Sequence, residues 1–324
     1  MQPLMTTFAL TIALCLGIIE MPAKKGSYEW KNVTSAANFP EGYNYPVFVW
    51  GTKMVAMNSG TWTSTDGKTW TKAPLPESGL NSAYQKYVQF KGSIYALGKM
   101  NGNYESFSID TKILRTRDLE SWDVVAETSN LPQRIFYGVA VFNDKIWMVG
   151  GFDGKNYLND VWSSADGIRW EKVTDKADWS PRTVALLVAT SDGLTLLGGG
   201  VIDGGKELNA NSEREVWRST DGKTWTRINA NLNRKWRGSP VFFDDKFWLV
   251  GANRGGTFES AVWVTENFSE WKELPAPWSP RGGVAAWVFN NKLYMTGGKS
   301  SHTENGEIKF VYSNDVWAME RKSE

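Results

Sequence analysis

Short apolar and alternating runs recur along the chain, and residues 134–174 show the repeating unit. Two apolar runs at 135–142 and 145–149 end in a Gly-Gly pair, and two alternating runs at 160–164 and 169–173 flank an Asp-Gly pair. Alternation with a period of two predicts half-buried strands, and an Asp-Gly pair between two such runs predicts a tight hairpin turn. Each unit is therefore expected to form a four-stranded antiparallel sheet.

The unit repeats at a period near fifty residues. A tryptophan follows the third-to-fourth strand turn at Trp70, Trp122, Trp170, Trp225 and Trp271, at intervals of 52, 48, 55 and 46 residues. The turn itself is Asp-Gly in three copies and is degenerate in the other two, where the pairs are Asp118-Leu119 and Asn267-Phe268. Repetition at this period predicts stacked supersecondary units. We expect an all-β, six-bladed propeller of four-stranded antiparallel blades, with seven blades as the alternative.

The sixth copy of the unit is split between the two ends of the chain. Residues 30–33 have the pattern of an outermost strand, and residues 315–319 lack a following outermost strand. Pairing these two segments would satisfy backbone groups that otherwise stay unpaired at an open edge. The N- and C-terminal strands are therefore expected to close the ring together.

Glycine pairs and the segments that follow them carry a resemblance to a known family. The pairs are Gly150-Gly151, Gly198-Gly199 and Gly297-Gly298, and the later segments 158–162 and 313–317 read Leu-Asn-Asp-Val-Trp and Ser-Asn-Asp-Val-Trp. Together they resemble the kelch-repeat β-propellers, which belong to the superfamily of the galactose oxidase central domain. The resemblance covers roughly residues 28–324. The Asp-Gly turns also resemble a shortened sialidase Asp-box, which we interpret as a shared hairpin only.

The N-terminal residues differ from the rest of the chain. Residues 8–19 are mostly apolar, too few to span a bilayer comfortably and typical in length of a signal peptide. We interpret residues 1–23 as a signal peptide and residues 24–324 as a single propeller domain. We therefore expect the protein to be secreted or periplasmic. We also expect it to be monomeric and not stably inserted in a membrane once the signal peptide is removed.

Composition excludes several chemistries. The chain has one histidine, His302, and one cysteine, Cys15, inside the apolar N-terminal run. This excludes the copper-radical oxidation of galactose oxidase and predicts no metal site, and no cofactor is expected. The net charge is +1 and no polybasic run is present, so nucleic acid is not an expected partner.

Candidate binding residues lie in the connections that lead into the blades. In a four-stranded meander these connections and the second-to-third strand loops share one face, where the kelch resemblance places ligand sites. Near-identical Trp-Ser-Pro-Arg segments occur at 179–182 and 278–281. Arginines suit a carboxylate or phosphate, and indole rings suit sugar or aromatic faces. The predicted ligand-binding set is Arg134, Arg182, Arg281, Trp179, Trp278, Lys235, Trp236, Arg237, Tyr43 and Tyr84.

Two functions of different classes remain open at this point. The first is an exported binding module that recognises a glycan, an anionic small molecule or a protein through this face. The alternative is a carbohydrate-active enzyme, with a sialate-mutarotase-like activity needing only one acid–base pair and a carboxylate clamp. No residue set stands out for catalysis, because the acidic residues of the loops after the Gly-Gly pairs have no distinctive spacing. The catalytic residues are therefore unknown, and the binding function is preferred.

Overall fold

The computed structural model describes residues 27–73, 85–102, 106–203, 206–207, 214–228, 238–254 and 257–322. These residues contain 28 β-strands, and no α-helix is assigned among them. No helix within these ranges has the length and apolar character needed to cross a membrane. The first fourteen strands are β1 (Tyr28–Thr34), β2 (Val47–Trp50), β3 (Lys53–Met57), β4 (Thr61–Ser64), β5 (Thr71–Ala73), β6 (Lys86–Phe90), β7 (Ser93–Gly102), β8 (Phe107–Thr116), β9 (Asp123–Ala126), β10 (Gly138–Phe142), β11 (Lys145–Phe152), β12 (Tyr157–Ser164), β13 (Glu171–Thr174) and β14 (Leu186–Thr190). The remaining strands are β15 (Gly193–Leu197), β16 (Ile202–Asp203), β17 (Lys206–Glu207), β18 (Val216–Ser219), β19 (Thr226–Ile228), β20 (Ser239–Phe243), β21 (Lys246–Arg254), β22 (Thr257–Thr265), β23 (Lys272–Pro275), β24 (Ala285–Phe289), β25 (Lys292–Thr296), β26 (Lys299–Glu304), β27 (Glu307–Tyr312) and β28 (Val316–Arg321).

The strands form six four-stranded antiparallel blades, which confirms the predicted fold. In chain order, the first five blades are β2–β5, β6–β9, β10–β13, the set β14, β15, β18 and β19, and β20–β23. Blade six has the order β24, β25, β28, β1. Two further hairpins, β16–β17 and β26–β27, extend from blades four and six between their second and third strands.

The two ends of the chain meet in blade six. Strand β1 pairs antiparallel with β28, with Tyr28 opposite Arg321, Trp30 opposite Met319 and Asn32 opposite Trp317. The expected closure by terminal strands is therefore confirmed. Without β1, the outer edge of β28 would present unpaired backbone groups to solvent.

Six buried apolar clusters hold the blades together, one at each interface between neighbours. In the cluster between blades six and one, Met54 and Trp70 pack with Trp287 and Tyr294. The Trp70 and Trp287 rings meet edge to face with centroids 6.3 Å apart. The other clusters join blades one and two, two and three, three and four, four and five, and five and six. Because every neighbouring pair shares a core, the ring is closed.

First strands of neighbouring blades contact one another, which places them nearest the ring axis. Strand β10 contacts β6 and β14, and β24 contacts β2 and β20. Because consecutive strands of a blade run in opposite directions, the chain returns to its starting face after every second strand. The connections leading into the blades therefore lie on the same face as the hairpins between second and third strands. We call this the upper face. The turns between third and fourth strands lie on the opposite, lower face.

The lower-face turns show how sequence fixes each hairpin. In blade four, Ser219 Oγ accepts a hydrogen bond from Gly222 N at 2.8 Å, and Asp221 Oδ1 accepts from Lys223 N and Thr224 N at 2.8 and 2.9 Å. Trp225 Nε1 donates to the carbonyl of Gly222 at 3.0 Å. The tryptophan of the repeat is thus part of the turn as well as of the interface.

The degenerate turns keep the same geometry without glycine. Leu119 and Phe268 occupy the glycine position with φ of 68° and 61°. Asp118 accepts hydrogen bonds from Ser121 N and Glu120 N, and these lower its pKa to about 2. Both apolar side chains are buried in blade interfaces. Interface packing therefore compensates for the left-handed backbone, which costs roughly 1–2 kcal/mol for a residue with a Cβ.

We expect Gly222→Ala to destabilise the protein more than Gly92→Ala. Both glycines are left-handed, with φ of 70° and 69°, but a Cβ at Gly222 would lie 2.1 Å from Trp147 Cζ3, whereas one at Gly92 meets nothing within 4 Å. Gly92→Ala is the control, because it measures the cost of a Cβ in the left-handed backbone alone. At Gly222 the overpacking against Trp147 adds about 1–3 kcal/mol to this cost. Urea denaturation measures both variants. Equal losses in the two variants would contradict the packing of the turn against Trp147.

Candidate functional site

Arg134 stands in the connection that leads into blade three and is 4% exposed. Its Nη1 donates to Asp160 Oδ1 at 2.6 Å and its Nη2 donates to Asp160 Oδ2 at 2.9 Å. Nη1 also donates to the carbonyl of Gly150, and Trp162 Nε1 donates to the same carboxylate at 2.7 Å. A bidentate pair of this kind fixes geometry as well as charge. The arginine thereby joins the connection to the second and third strands of its own blade.

The same arrangement recurs in blades four and six. Arg182 Nη2 donates to Glu215 Oε2 at 2.7 Å, and Trp217 Nε1 donates to that oxygen at 3.0 Å. Arg182 Nη1 donates to the carbonyl of Gly198. In blade six the corresponding residues are Arg281, Asp315 and Trp317. We call these three groups the Arg–carboxylate–Trp clusters.

Burial and pairing act against each other on the ionisation of the cluster in blade four. Burial raises the pKa of Glu215, but hydrogen bonds from Arg182 and Trp217 and the charges of Arg182 and Arg227 outweigh it, so that pKa lies below its ordinary value. Burial lowers the pKa of Arg182, and the hydrogen bond and charge of Glu215 offset this effect only in part. The pair therefore stays ionised at neutral pH, and its charges cancel.

The structure brings each of the three predicted arginines against a carboxylate of its own blade. All three side chains are buried. A guanidinium already paired in this way has little charge to offer a second anion, because its electrostatic attraction is largely neutralised. A ligand-binding role for Arg134, Arg182 and Arg281 stays a prediction, and the observed contacts are those of a structural cluster.

The two tryptophans of the Trp-Ser-Pro-Arg segments are buried between blades. Trp179 is 1% exposed, packs edge to face on Trp225, and carries the Arg182 guanidinium 5.6 Å from its ring centroid. Trp278 is 4% exposed and packs edge to face on Trp30 at 4.7 Å. Neither indole presents a face to solvent in this structure, so neither forms part of an open rim.

Tyr43 is the one predicted aromatic residue that the described upper face exposes, at 37%. Its ring lies 5.6 Å from that of Tyr312, and Lys299 Nζ lies 4.6 Å from its centroid. The other predicted residues, Tyr84, Lys235, Trp236 and Arg237, lie outside the described residues.

The hairpin β26–β27 exposes more large apolar side chains than any other element in the described part of the upper face. The segment was expected to be a polar loop after Gly297-Gly298, but it is a β-hairpin. Ile308, Phe310 and Val311 are 67, 52 and 45% exposed. Lys299 Nζ lies 4.4 Å from the centroid of the Phe310 ring. Ile308, Phe310 and Tyr312 share one side of the hairpin, and we call them the apolar stripe.

Comparison with protein families agrees with this architecture. Residues 19–263 match the family described as the DUF6242 beta propeller domain, and residues 77–323 match it in a second register. The chain belongs to this β-propeller family. The two matches start 58 residues apart (77 − 19), which is close to the length of one repeat. Such a shift is expected for a repeat protein, because the family model can be aligned to the chain starting at either of two neighbouring blades.

Curated relatives of this DUF6242 propeller include kelch proteins. It is 25% identical to the kelch repeat protein M-T8 of myxoma virus over 62% of this chain and 40% of that protein. It is 25% identical to beta-scruin of Limulus polyphemus over 76% of this chain and 27% of that protein. The chain therefore spans less than half the length of these relatives. The kelch-type assignment is confirmed.

One solved structure shows the same fold. The structure of YjhT superposes with a TM-score of 0.65 at 14% identity, covering 88% of this chain and 96% of that chain. Identity at this level supports the shared propeller architecture alone.

The acidic partners of the arginines were missed in the sequence, although a signal for them is present. Each stands two residues before the tryptophan of the third strand, in the pattern acid-Val-Trp, and only in the three blades whose leading connection carries the paired arginine. Blade five has Ala261 at that position. An arginine in the leading connection and an acidic residue before the tryptophan therefore occur together in the same repeat, and this pattern identifies them as an ion pair within one blade.

We expect Glu215→Gln to destabilise the propeller by about 3–5 kcal/mol at pH 7, because it removes the carboxylate that pairs with the buried Arg182 at 2.7 Å. The stabilisation from Glu215 is complete above its ordinary pKa and is lost as the pH falls towards its lowered folded value. The difference between wild type and variant should therefore shrink below about pH 4.5.

Urea denaturation at pH 7 and pH 3.5 measures this dependence, with Glu266→Gln as the control. Glu266 pairs with Lys246 at the surface and is 58% exposed, so its loss should change stability little. A Glu215→Gln difference that is the same at both pH values would contradict the ion pair.

Proposed function

We propose that this propeller binds another protein through its upper face, at the hairpin β26–β27. The observation that carries the proposal is the solvent exposure of Ile308 and Phe310 on the same side of one short hairpin, where they form the apolar stripe with Tyr312. Soluble proteins rarely expose contiguous apolar side chains without a partner, because their hydration is unfavourable.

The position of the hairpin supports this proposal. It rises from blade six between second and third strands, on the face that kelch-like propellers use for binding. Aromatic rings of blades two and three stand on the same face, where Phe152 packs against Phe107 and Tyr157 with centroids 6.5 and 5.0 Å apart. The likeness to kelch repeat protein M-T8 and beta-scruin points to protein partners rather than to a reaction.

The sugar-acid alternative depends on arginines that are available to clamp a carboxylate. In the described residues Arg134, Arg182 and Arg281 hold protein carboxylates instead. A glycan or small anion therefore has fewer observations in its favour than a protein. Export through a signal peptide at residues 1–23 remains part of the proposal, and it lies outside the described residues.

We expect a photo-crosslinking residue, p-benzoyl-phenylalanine, to capture a protein when it replaces Phe310 and not when it replaces Val124. Both side chains are exposed, at 52 and 44%, but Val124 lies on the outermost strand of blade two. Irradiation of cells that make each variant, followed by mass spectrometry of the adducts, reads out the partner.

A defined protein adduct at Phe310 that is absent at Val124 would support the proposal. Adducts at both positions to the same degree, or none at Phe310, would contradict it. Neither substitution should lower the thermal midpoint noticeably, because both sites are solvent-exposed.

A further inference from the structure

The hairpin β26–β27 has a free edge whose residues can be identified from its turn. Strands β26 and β27 pair with Glu304 opposite Glu307 and Ser301 opposite Phe310, across a two-residue turn in which Asn305 and Gly306 have φ of 52° and 81°. Such a turn makes Glu304 and Glu307 a hydrogen-bonded pair. Antiparallel pairs then alternate, so the backbone groups of Ile308 and Phe310 point away from β26.

The base of the hairpin shows the same alternation directly. By the alternation, Lys299 on β26 should also point its backbone outwards. Lys299 N donates to the carbonyl of Gly282 at 2.8 Å, and Gly282 N donates to the carbonyl of Lys299 at 2.9 Å. The bridge to Gly282 uses the outer edge of β26 and confirms the alternation, which leaves the outer edge of β27 as the free edge of the hairpin.

Strand β27 pairs only with β26 in the described part of the chain. Its outward N–H and C=O groups at Ile308 and Phe310 are therefore available for a third strand. The side chains of these two residues lie in the apolar stripe, which also includes Tyr312. Main-chain groups and apolar side chains of the same residues are presented together, as strand addition requires, because backbone hydrogen bonds give affinity and alternate side chains give specificity.

Charge distinguishes the side of the hairpin that carries the stripe. Its members on β26 and β27 are Lys299, Ser301, Thr303, Ile308, Phe310 and Tyr312, and none of them is acidic. Lys299 Nζ lies over the rings of Tyr43 and Phe310, and no ion pair of Lys299 is found within the described residues. The opposite side carries Glu304, Glu307, His302, Lys309 and Val311, with Lys309 paired to Glu307.

Building on the protein-binding function above, we propose that the partner adds an extended segment to β27 as a third strand. Its side chains on the stripe side are apolar over Ile308 and Phe310, and a carboxylate of the segment meets Lys299. A second copy of this chain fits less well, because its hairpin brings no acidic residue to the stripe.

The test compares two substitutions at one position, Ile308→Pro and Ile308→Ala. Both replace the isoleucine side chain with a smaller one, but only proline removes the outward N–H, and this N–H does not serve the hairpin itself. The probe is a fluorescent eight-residue peptide in which valine alternates with threonine and an aspartate stands at one end. Fluorescence anisotropy measures its affinity, and thermal unfolding checks that both variants stay folded.

We expect Ile308→Pro to bind the probe about fivefold to tenfold more weakly than Ile308→Ala, which corresponds to one lost main-chain hydrogen bond. Replacing the aspartate of the probe with lysine should weaken binding to the wild type, and Lys299→Met should remove most of that preference. In hydrogen exchange, the amides of Ile308 and Phe310 should gain protection when the probe is bound.

Equal affinities of the proline and alanine variants, or no binding of the probe at about 1 mM, would overturn strand addition. In that case a protein adduct at Phe310 would still support protein binding, so the two proposals fail separately. Self-association of the wild type that is lost in Ile308→Pro would also overturn the inference, since the strand would then come from a second copy.

Discussion

Packing between neighbouring blades is the constraint on which the rest of the structure depends. No blade has a core of its own, because each sheet buries its apolar faces only against the sheets beside it. The six interface clusters therefore have to form as a set, and the set is complete only when β1 joins β28 in blade six. Closure removes the exposed edge that an open row of sheets would keep. It also fixes the upper face, since the connections and hairpins of all six blades then surround one axis.

The repeat predicts the fold well because its determinants are local. Asp-Gly turns, Gly-Gly pairs and alternating strands lie within a few residues of one another, and the split sixth copy follows from the missing outer strand at the C-terminus. Leu119 and Phe268 are exceptions to the local preference for glycine in the turn. Both adopt the left-handed conformation of the glycine they replace, and their side chains pack in an interface between blades. The partners of the arginines were harder to predict, since 26 to 34 residues separate the two members of each pair.

The arginines and the hairpin differ in whether they recur from blade to blade. Arg134, Arg182 and Arg281 recur at the same position of the repeat because they have the same structural role in three blades. Each one anchors the connection that leads into its blade to the second and third strands. The hairpin β26–β27 recurs nowhere else in the described chain with the same apolar side chains. The hairpin breaks the symmetry of the ring, with Lys299 lying over the rings of Tyr43 and Phe310, and the proposed binding function rests on this break. Composition did not reveal it, because the segment 300–309 is mostly polar and only its strand alternation exposes the stripe.

The location of the hairpin ties it to the closure of the ring. Its base is joined through Gly282 and Gly42 to blades six and one, and blade six itself combines β1 with β24, β25 and β28. The support of the hairpin is therefore complete only after β1 has paired with β28. A substitution that weakens this pairing would disturb the hairpin as well as the sheet of blade six, although β1 and the hairpin lie far apart in the sequence.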